Sequence, residues 1–270
     1  MIAQCIAAYA QLRPEPRHAS ELVSQIILGE PVQVLATEGA WIKILTEHNY
    51  EGFTRTEQFR FLSKEPDFPK ELFRLASTLS LKTISGNPYT CFEGSLIFDG
   101  NETGFLPGFP ANELIDITNS IRFDPQLMAT QSKSLLNTPY VWGGKTAFGL
   151  DCSGLVQFLL QKQGYSFPRD AWQQSEIGSE VKFNSEKPEF TKGDLLYFQN
   201  PGKRIHHVAV SLGGSEYIHS SDWVRVNSFD PSKREFVRER FETLCLAKRL
   251  KTKDLLSLFE SFKRLWDLGV

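Results

Sequence analysis

Cysteine, excess charge of one sign and long apolar runs are all scarce in this 270-residue chain. Each scarcity excludes something. The four cysteines, Cys5, Cys91, Cys152 and Cys245, are too widely spaced to suggest a disulfide framework. Lysine and arginine number 30 against 32 aspartates and glutamates, a net charge of −2 that argues against a dedicated nucleic-acid binder. The longest basic cluster, Lys248, Arg249, Lys251 and Lys253, reads as a solvated face. No stretch approaches the roughly 20 apolar residues needed to span a bilayer, so no membrane association is expected. The first nine residues lack a basic lead-in, and their short apolar run is followed by Arg13 and Glu15. They read as a first strand rather than an export signal. A reduced, cytoplasmic setting fits these features. Nothing resembles a disordered or collagen-like tract.

What is present changes character along the chain. Residues 1–65 look all-β. Pro31–Leu35 and Trp41–Leu45 alternate with period two and are separated by Gly29-Glu30 and Glu38-Gly39 turns. Tyr50-Glu51-Gly52-Phe53 adds another turn-strand unit, and several short strands in so few residues predict a small barrel. Residues 66–121 look like a second, divergent β module, with strands at 81–84, 89–92 and 95–98 and turn signals at Ser85–Pro88 and Asp99-Gly100.

From residue 122 onward the pattern becomes α+β. Asp124-Pro125 predicts a capped helix start, followed by a stripe of Leu127, Met128, Leu135 and Leu136. A glycine-rich loop then leads into a helix over Cys152–Gln163. Its apolar face is Leu155, Val156, Leu159 and Leu160, and Gly164 is placed to stop it. Strands are predicted at 194–198, 207–212, 216–219 and 244–247, and a terminal amphipathic helix at 253–268. Helices followed by an antiparallel run are an α+β signature.

The chemistry concentrates around Cys152. A thiol attacks only as thiolate, and a helix N-terminus lowers its pKa through free N–H groups and the helix dipole. Cys152 stands where loop becomes helix, with Asp151 or Ser153 placed to cap the turn. Its own N–H is placed to meet a developing oxyanion. Cys5, Cys91 and Cys245 lie in apolar strands and read as small buried hydrophobes. A thiolate needs a base. Strand alternation sets His207, Ala209 and Ser211 on one face, small and polar like a site wall, with His206, Val208 and Val210 on the core face. One strand later His219 is placed to orient His207, the general logic of a triad. A metal site from His206, His207 and His219 is disfavoured, because adjacent strand histidines diverge and no further ligand sits at suitable spacing. Neither metal nor cofactor is called for.

These pieces together resemble the NlpC/P60 cysteine peptidases, a papain-like family. They are Tyr140-Val141-Trp142-Gly143-Gly144, Asp151-Cys152-Ser153-Gly154-Leu155-Val156, Pro168-Arg169-Asp170, Gly193–Phe198, His207-Val208-Ala209-Val210 and Tyr217-Ile218-His219. They occur in the family's order across roughly residues 122–250. The resemblance implies Cys152 as nucleophile, His207 as base and His219 as orienting residue, with Tyr140 beside the oxyanion. It implies a papain-like domain over 122–270, preceded by SH3-like β-barrel modules at 1–65 and 66–121.

This arrangement is similar to that of γ-D-glutamyl-L-diamino acid endopeptidases, which release L-Ala-D-Glu from murein peptides. In that subfamily the first SH3-like module helps bind the free amine of L-Ala. By resemblance Asp151, Glu15 and Tyr50 would share in that, and Ser153 would touch substrate. The departure from the pattern is Ala171-Trp172-Gln173-Gln174, where a small hydroxyl residue often holds substrate; Ser175 stands nearby as a substitute. Arg169 and Asp170 read either as a structural pair or as substrate contacts. The competing readings are a catalytically inactive wall-peptide-binding protein and a papain-like amidase or acyltransferase on another substrate.

Overall fold

Period-two segments punctuated by glycine turns build the first part of the chain. A computed structural model describes residues 1–62, 72–98, 109–117, 122–256 and 258. Contacts divide the chain into two units, one drawn mainly from Met1–Ile121 together with Gln161–Ser166, the other from Arg122–Leu160 and Phe167–Leu256.

In the first unit seven strands precede residue 62: β1 (Ile2–Cys5), β2 (Tyr9–Leu12), β3 (Ser24–Ile27), β4 (Pro31–Glu38), β5 (Trp41–Leu45), β6 (Glu51–Arg55) and β7 (Phe59–Phe61). Five form an antiparallel sheet in the order β6-β5-β4-β1-β7, and β2 pairs with β3. The expected first strand is therefore two, broken at residues 6–8. Ala3, Cys5, Leu12, Ile26, Ile42 and Ile44 fill the barrel. The Gly29-Glu30 turn depends on its glycine. Gly29 has φ +84°, and a Cβ there would stand 1.9 Å from the Leu96 carbonyl oxygen. Glu30 is buried, accepting from the Ile27 N–H at 2.9 Å and lying 3.7 Å from the buried Arg74.

The second β module contributes β8 (Leu72–Leu75), β9 (Leu79–Lys82), β10 (Pro88–Cys91), β11 (Leu96–Phe98) and β12 (Leu114–Asp116). They form one three-stranded sheet, β11-β8-β12, and one hairpin, β9 with β10. Ile84, expected in a strand, follows β9 and is exposed. The expected turn at Asp99-Gly100 and the boundary at 65–66 lie outside the described residues.

The second unit begins with α1 (Pro125–Ser132), whose N-cap Asp124 accepts from the N–H groups of Gln126 and Leu127. Only half of its expected stripe is core: Met128 and Leu135 are buried, Leu127 and Leu136 exposed. A hairpin of β13 (Lys145–Thr146) and β14 (Gly149–Leu150) leads into α2 (Cys152–Gln161). All four expected apolar positions of α2 are buried, and Gly164 at φ +82° closes it. Next come α3 (Ala171–Gln174), β15 (Ser179–Glu180), β16 (Leu195–Phe198), β17 (His207–Gly213), β18 (Glu216–Ser221), β19 (Trp223–Ser228), α4 (Arg238–Thr243) and β20 (Leu244–Arg249). The six strands form one sheet, β15-β20-β16-β17-β18-β19, antiparallel wherever strands pair. Helices and this sheet give the α+β class. Of the expected terminal helix, residues 252–256 are helical; Phe259, Phe262 and Trp266 lie outside the described residues. Among the described residues no helix is long and apolar enough to cross a membrane.

The central strand β17 corrects one expectation. Its two faces were read as a polar wall and a core, but Val208, Ala209, Val210 and Ser211 are all fully buried. Register explains why. His207 stands opposite Phe198 and Ala209 opposite Leu196, so the histidine face belongs to an aromatic cluster with Tyr217 and Phe229. A strand interior to a sheet covered on both sides has no wet face. Cys245 is corrected as well. It is exposed rather than buried, with its thiol 3.3 Å from the Tyr197 carbonyl oxygen.

Candidate active site

The turn into α2 is made by Asp151. Its Oδ1 accepts from the Gly154 N–H at 2.7 Å, the capping geometry expected three residues into a helix. Its Oδ2 accepts from the Gly143 N–H at 3.0 Å, which ties the Gly143-Gly144 loop to the helix start. Gly154 makes the close approach possible, since a Cβ there would lie 2.0 Å from the Gly144 carbonyl oxygen. Cys152, first residue of the helix, thus has an N–H with no partner inside it.

Arg169 completes this corner. Buried itself, it donates to both oxygens of Asp151 and, at 2.8 Å, to Ser153 Oγ; Ser153 Oγ in turn lies 3.2 Å from Asp151 Oδ1. Asp151 and Ser153 are expected substrate contacts. Here both are buried and engaged in an internal network, because a carboxylate out of water needs a cation and N–H donors around it. Among the described residues Arg169 pairs with Asp151 rather than Asp170. Asp170 caps α3 and accepts from the Trp172 indole N–H at 3.2 Å. The Ser175 hydroxyl is buried and donates to the Trp172 carbonyl at 2.7 Å.

The Cys152 sulfur rests against β17 on either side of His207, 3.9 Å from the His206 carbonyl oxygen and facing the Val208 N–H. His207 Nε2 is 2.7 Å from His219 Nδ1, and His219 Nε2 is 2.7 Å from Asn227 Oδ1. The Asn227 Nδ2 group donates to the Glu235 carbonyl at 2.9 Å. These three bonds admit one set of protons. A backbone carbonyl only accepts, so the amide NH₂ must face Glu235 and the amide oxygen must face His219. His219 therefore carries its hydrogen on Nε2 and accepts at Nδ1 when neutral. His207 then donates from Nε2, and its Nδ1 keeps a free lone pair.

Burial sets the protonation of the pair. It pushes the Cys152 thiol up to about 12, helped by the neighbouring Asp151 charge and opposed by the Val208 N–H, Arg169 and the Ser153 N–H. Burial also holds His207 well below the ordinary histidine range, and the charges of His219 and Arg240 act in the same direction. His219 is lowered to about 4 by burial, against the raising effect of its bond to Asn227. The thiolate expected at a helix start is thus overridden. Loss of water outweighs the helix N–H groups, so at rest the Cys152 thiol and the His207 imidazole are both neutral. Tyr140 is held protonated by burial first and then by the charges of Cys152 and Asp151, so its phenol stays a donor beside the sulfur.

Glu15 and Tyr50 belong to the first unit. Glu15 is exposed and paired with Arg17, and Tyr50 packs against the barrel core. Asn227 escaped the sequence reading because β19 did. Its signal was available in Trp223-Val224-Arg225-Val226-Asn227-Ser228, where alternation places Arg225 and Asn227 on the face of His219.

Comparison with known proteins covers both units. Residues 137–242 match the NlpC/P60 family, and residues 12–59 match the bacterial dipeptidyl-peptidase SH3 domain. The chain is 30% identical over 262 residues to dipeptidyl-peptidase 6 of Lysinibacillus sphaericus, spanning 85% of this chain and 92% of that protein. It is 28% identical over 224 residues to γ-D-glutamyl-L-lysine dipeptidyl-peptidase of Bacillus subtilis (strain 168), spanning 73% and 71% respectively. The crystal structure of an NlpC/P60 family protein from Bacillus cereus ATCC 10987 superposes with a TM-score of 0.80 at 20% identity, over 93% of this chain and all of the other, and so shares the fold. The chain belongs to the NlpC/P60 family of cysteine peptidases, with a bacterial dipeptidyl-peptidase SH3 domain ahead of the peptidase domain.

Proposed function

We propose that this peptidase hydrolyses the bond between γ-D-glutamate and the diamino acid in murein peptides that begin with a free L-Ala, in the turnover of wall peptides inside the cell. The observation that carries the chemistry is the hydrogen-bonded line from Asn227 through His219 to His207, which leaves the His207 Nδ1 lone pair uncommitted on a residue whose chain neighbour, His206, meets the Cys152 sulfur through its carbonyl. The substrate follows from the names of the relatives, among them a γ-D-glutamyl-L-lysine dipeptidyl-peptidase.

In this reading His207 Nδ1 takes the thiol proton as Sγ attacks the γ-carbonyl carbon of D-glutamate. A neutral pair becomes charged only as the bond forms, so the burial cost of the ions is met during attack rather than at rest. The carbonyl oxygen takes up negative charge opposite the Cys152 N–H and the Tyr140 phenol. His207 then returns its proton to the departing amine of the diamino acid, and the C–N bond breaks to leave a thioester. Water, deprotonated by His207, attacks that thioester and releases L-Ala-D-Glu with the thiol restored.

Asp151 and Ser153, held by Arg169, would receive the substrate amine along a shared oxygen or by exchange with a network partner. Glu15 and Tyr50 would act from the first unit. The test is mass spectrometry of products from L-Ala-γ-D-Glu-L-Lys and its meso-diaminopimelate counterpart. Release of the Ala-Glu dipeptide, lost with Cys152→Ala and suppressed by N-acetylation, is expected. Equal cleavage of the acetylated peptide would reject recognition of the amine, and cleavage surviving Cys152→Ala would reject the thiol.

A further inference from the structure

The first unit holds a cavity of about 350 Å³ where β2, β5 and β6 meet, lined by two arginines and by no carboxylate. We propose that this cavity binds a small dicarboxylate, up to the size of a dipeptide.

Three observations carry it. Among the described residues Arg13 donates to neutral acceptors, the Ser20 carbonyl and the Gln11 side-chain oxygen, and has no carboxylate partner there. Arg55 lies over Trp41, 5.6 Å from the ring centroid. Its Nη2 meets Glu57 at 3.1 Å on the exposed rim, while its buried Nε has no acceptor among the described residues. His18 packs against the other part of Trp41, with ring centroids 5.1 Å apart.

A buried N–H without an acceptor is costly to maintain, and leaves the Arg55 charge only partly compensated by Glu57. The planar guanidinium fork matches a carboxylate in shape and charge. Two guanidinium charges on one cavity suit two carboxylates, and the aromatic side chains of Tyr9 and Trp41 in its lining suit the carbon chain between them. The volume is that of a site for a small molecule rather than for a single ion. Two sources present this chemistry: a free dicarboxylate and the D-Glu end of the released dipeptide L-Ala-D-Glu, the latter resting on the proposed function.

The test is calorimetric titration of the full chain with glutarate, with L-Ala-D-Glu and with inorganic phosphate. Saturable binding of glutarate is expected, weakened about tenfold or more in Arg13→Gln/Arg55→Gln, since each lost charge-assisted pair carries a factor of that order. Gln58→Glu, which sets a carboxylate in the cavity wall and leaves both arginines in place, should weaken it similarly should the double variant fail to fold. Binding of the dipeptide alone, weakened by the same variants, would support the peptide source. No saturable binding of either dicarboxylate, binding that both variants leave unchanged, or phosphate binding as tight as glutarate would overturn the proposal. Cleavage of the tripeptide, read in parallel on the wild-type chain, bears on the reaction and not on this cavity.

Discussion

Replacing Asn227 by leucine should disable the base without touching it. The amide oxygen is the acceptor for His219 Nε2–H at 2.7 Å, and the site is buried. Leucine is close in size but accepts nothing, so the Nε2–H is stranded. A stranded buried donor costs about 1–3 kcal/mol. His219 can relieve that by moving its hydrogen to Nδ1, but Nδ1 must accept from His207. The shift would force His207 to accept at Nε2 and carry its own hydrogen on Nδ1, where the thiol proton has to go. If that penalty falls on the transition state, kcat drops by roughly 5- to 150-fold while KM changes little. Asn227→Asp keeps an acceptor toward His219 and should retain more activity. It should also raise the His219 pKa, because a charged acceptor favours imidazolium. Steady-state kinetics give the kcat and KM split, and ¹⁵N chemical shifts of the histidine rings report which nitrogen holds each hydrogen. Wild-type kcat in Asn227→Leu, or an unchanged His207 tautomer, would refute the reasoning.

Four further outcomes follow from the same geometry. Arg169→Met leaves the Asp151 carboxylate buried without its cation and should destabilise the second unit by roughly 3–5 kcal/mol. Adding Asp151→Asn should recover part of that, and a urea midpoint equal to wild type in Arg169→Met would count against it. Gly154→Ala drives a methyl to 2.0 Å from the Gly144 carbonyl and should abolish both soluble expression and activity; an active, stable variant would contradict the packing. The pH profile of kcat/KM should keep its acid limb below 6.5, where His207 begins to bind a proton that removes the base, and its alkaline limb above 9.0, the ordinary thiol value. An alkaline limb below that value would instead indicate a resting ion pair. His219 is neutral when folded down to about pH 4, whereas the unfolded chain protonates it below 6.5. Stability should therefore fall as pH drops through that window, by roughly 3 kcal/mol at about 1.4 kcal/mol per pKa unit, and level off below it. Urea unfolding at the two ends of the window should show a smaller difference in His219→Gln; an equal difference would remove His219 as the cause.

Much of the site was legible because local rules decide it. A cap residue, a helix start and a glycine stop place Cys152 at the end of α2, and alternation with tight turns brings His207 and His219 onto paired strands. What the residues could not reveal depends on partners distant in sequence. Asp151 looks like an exposed acid until Arg169, 18 positions away, is folded onto it. The polarity of the His207 face looks like a wet wall until Phe198 and Tyr217 are seen to cover it. The thiol looks ionised from its helix position alone, because desolvation is a property of the whole packed corner. Cys245 looks buried from its apolar neighbours, but it falls at the register shift between β20 and β16, where the extra residue has no partner across the pair.

The hydrogen-bonded line behind His207 starts at a main-chain oxygen, that of Glu235, and not at an acid. A peptide carbonyl has no titration of its own, so the direction in which this relay points is the same in acid and in alkali. It is also indifferent to which side chain position 235 carries, so drift at that residue leaves the polarity of the chain intact. Only the backbone path that delivers this carbonyl to Asn227 is under constraint, which moves part of the catalytic specification from residue identity to loop shape.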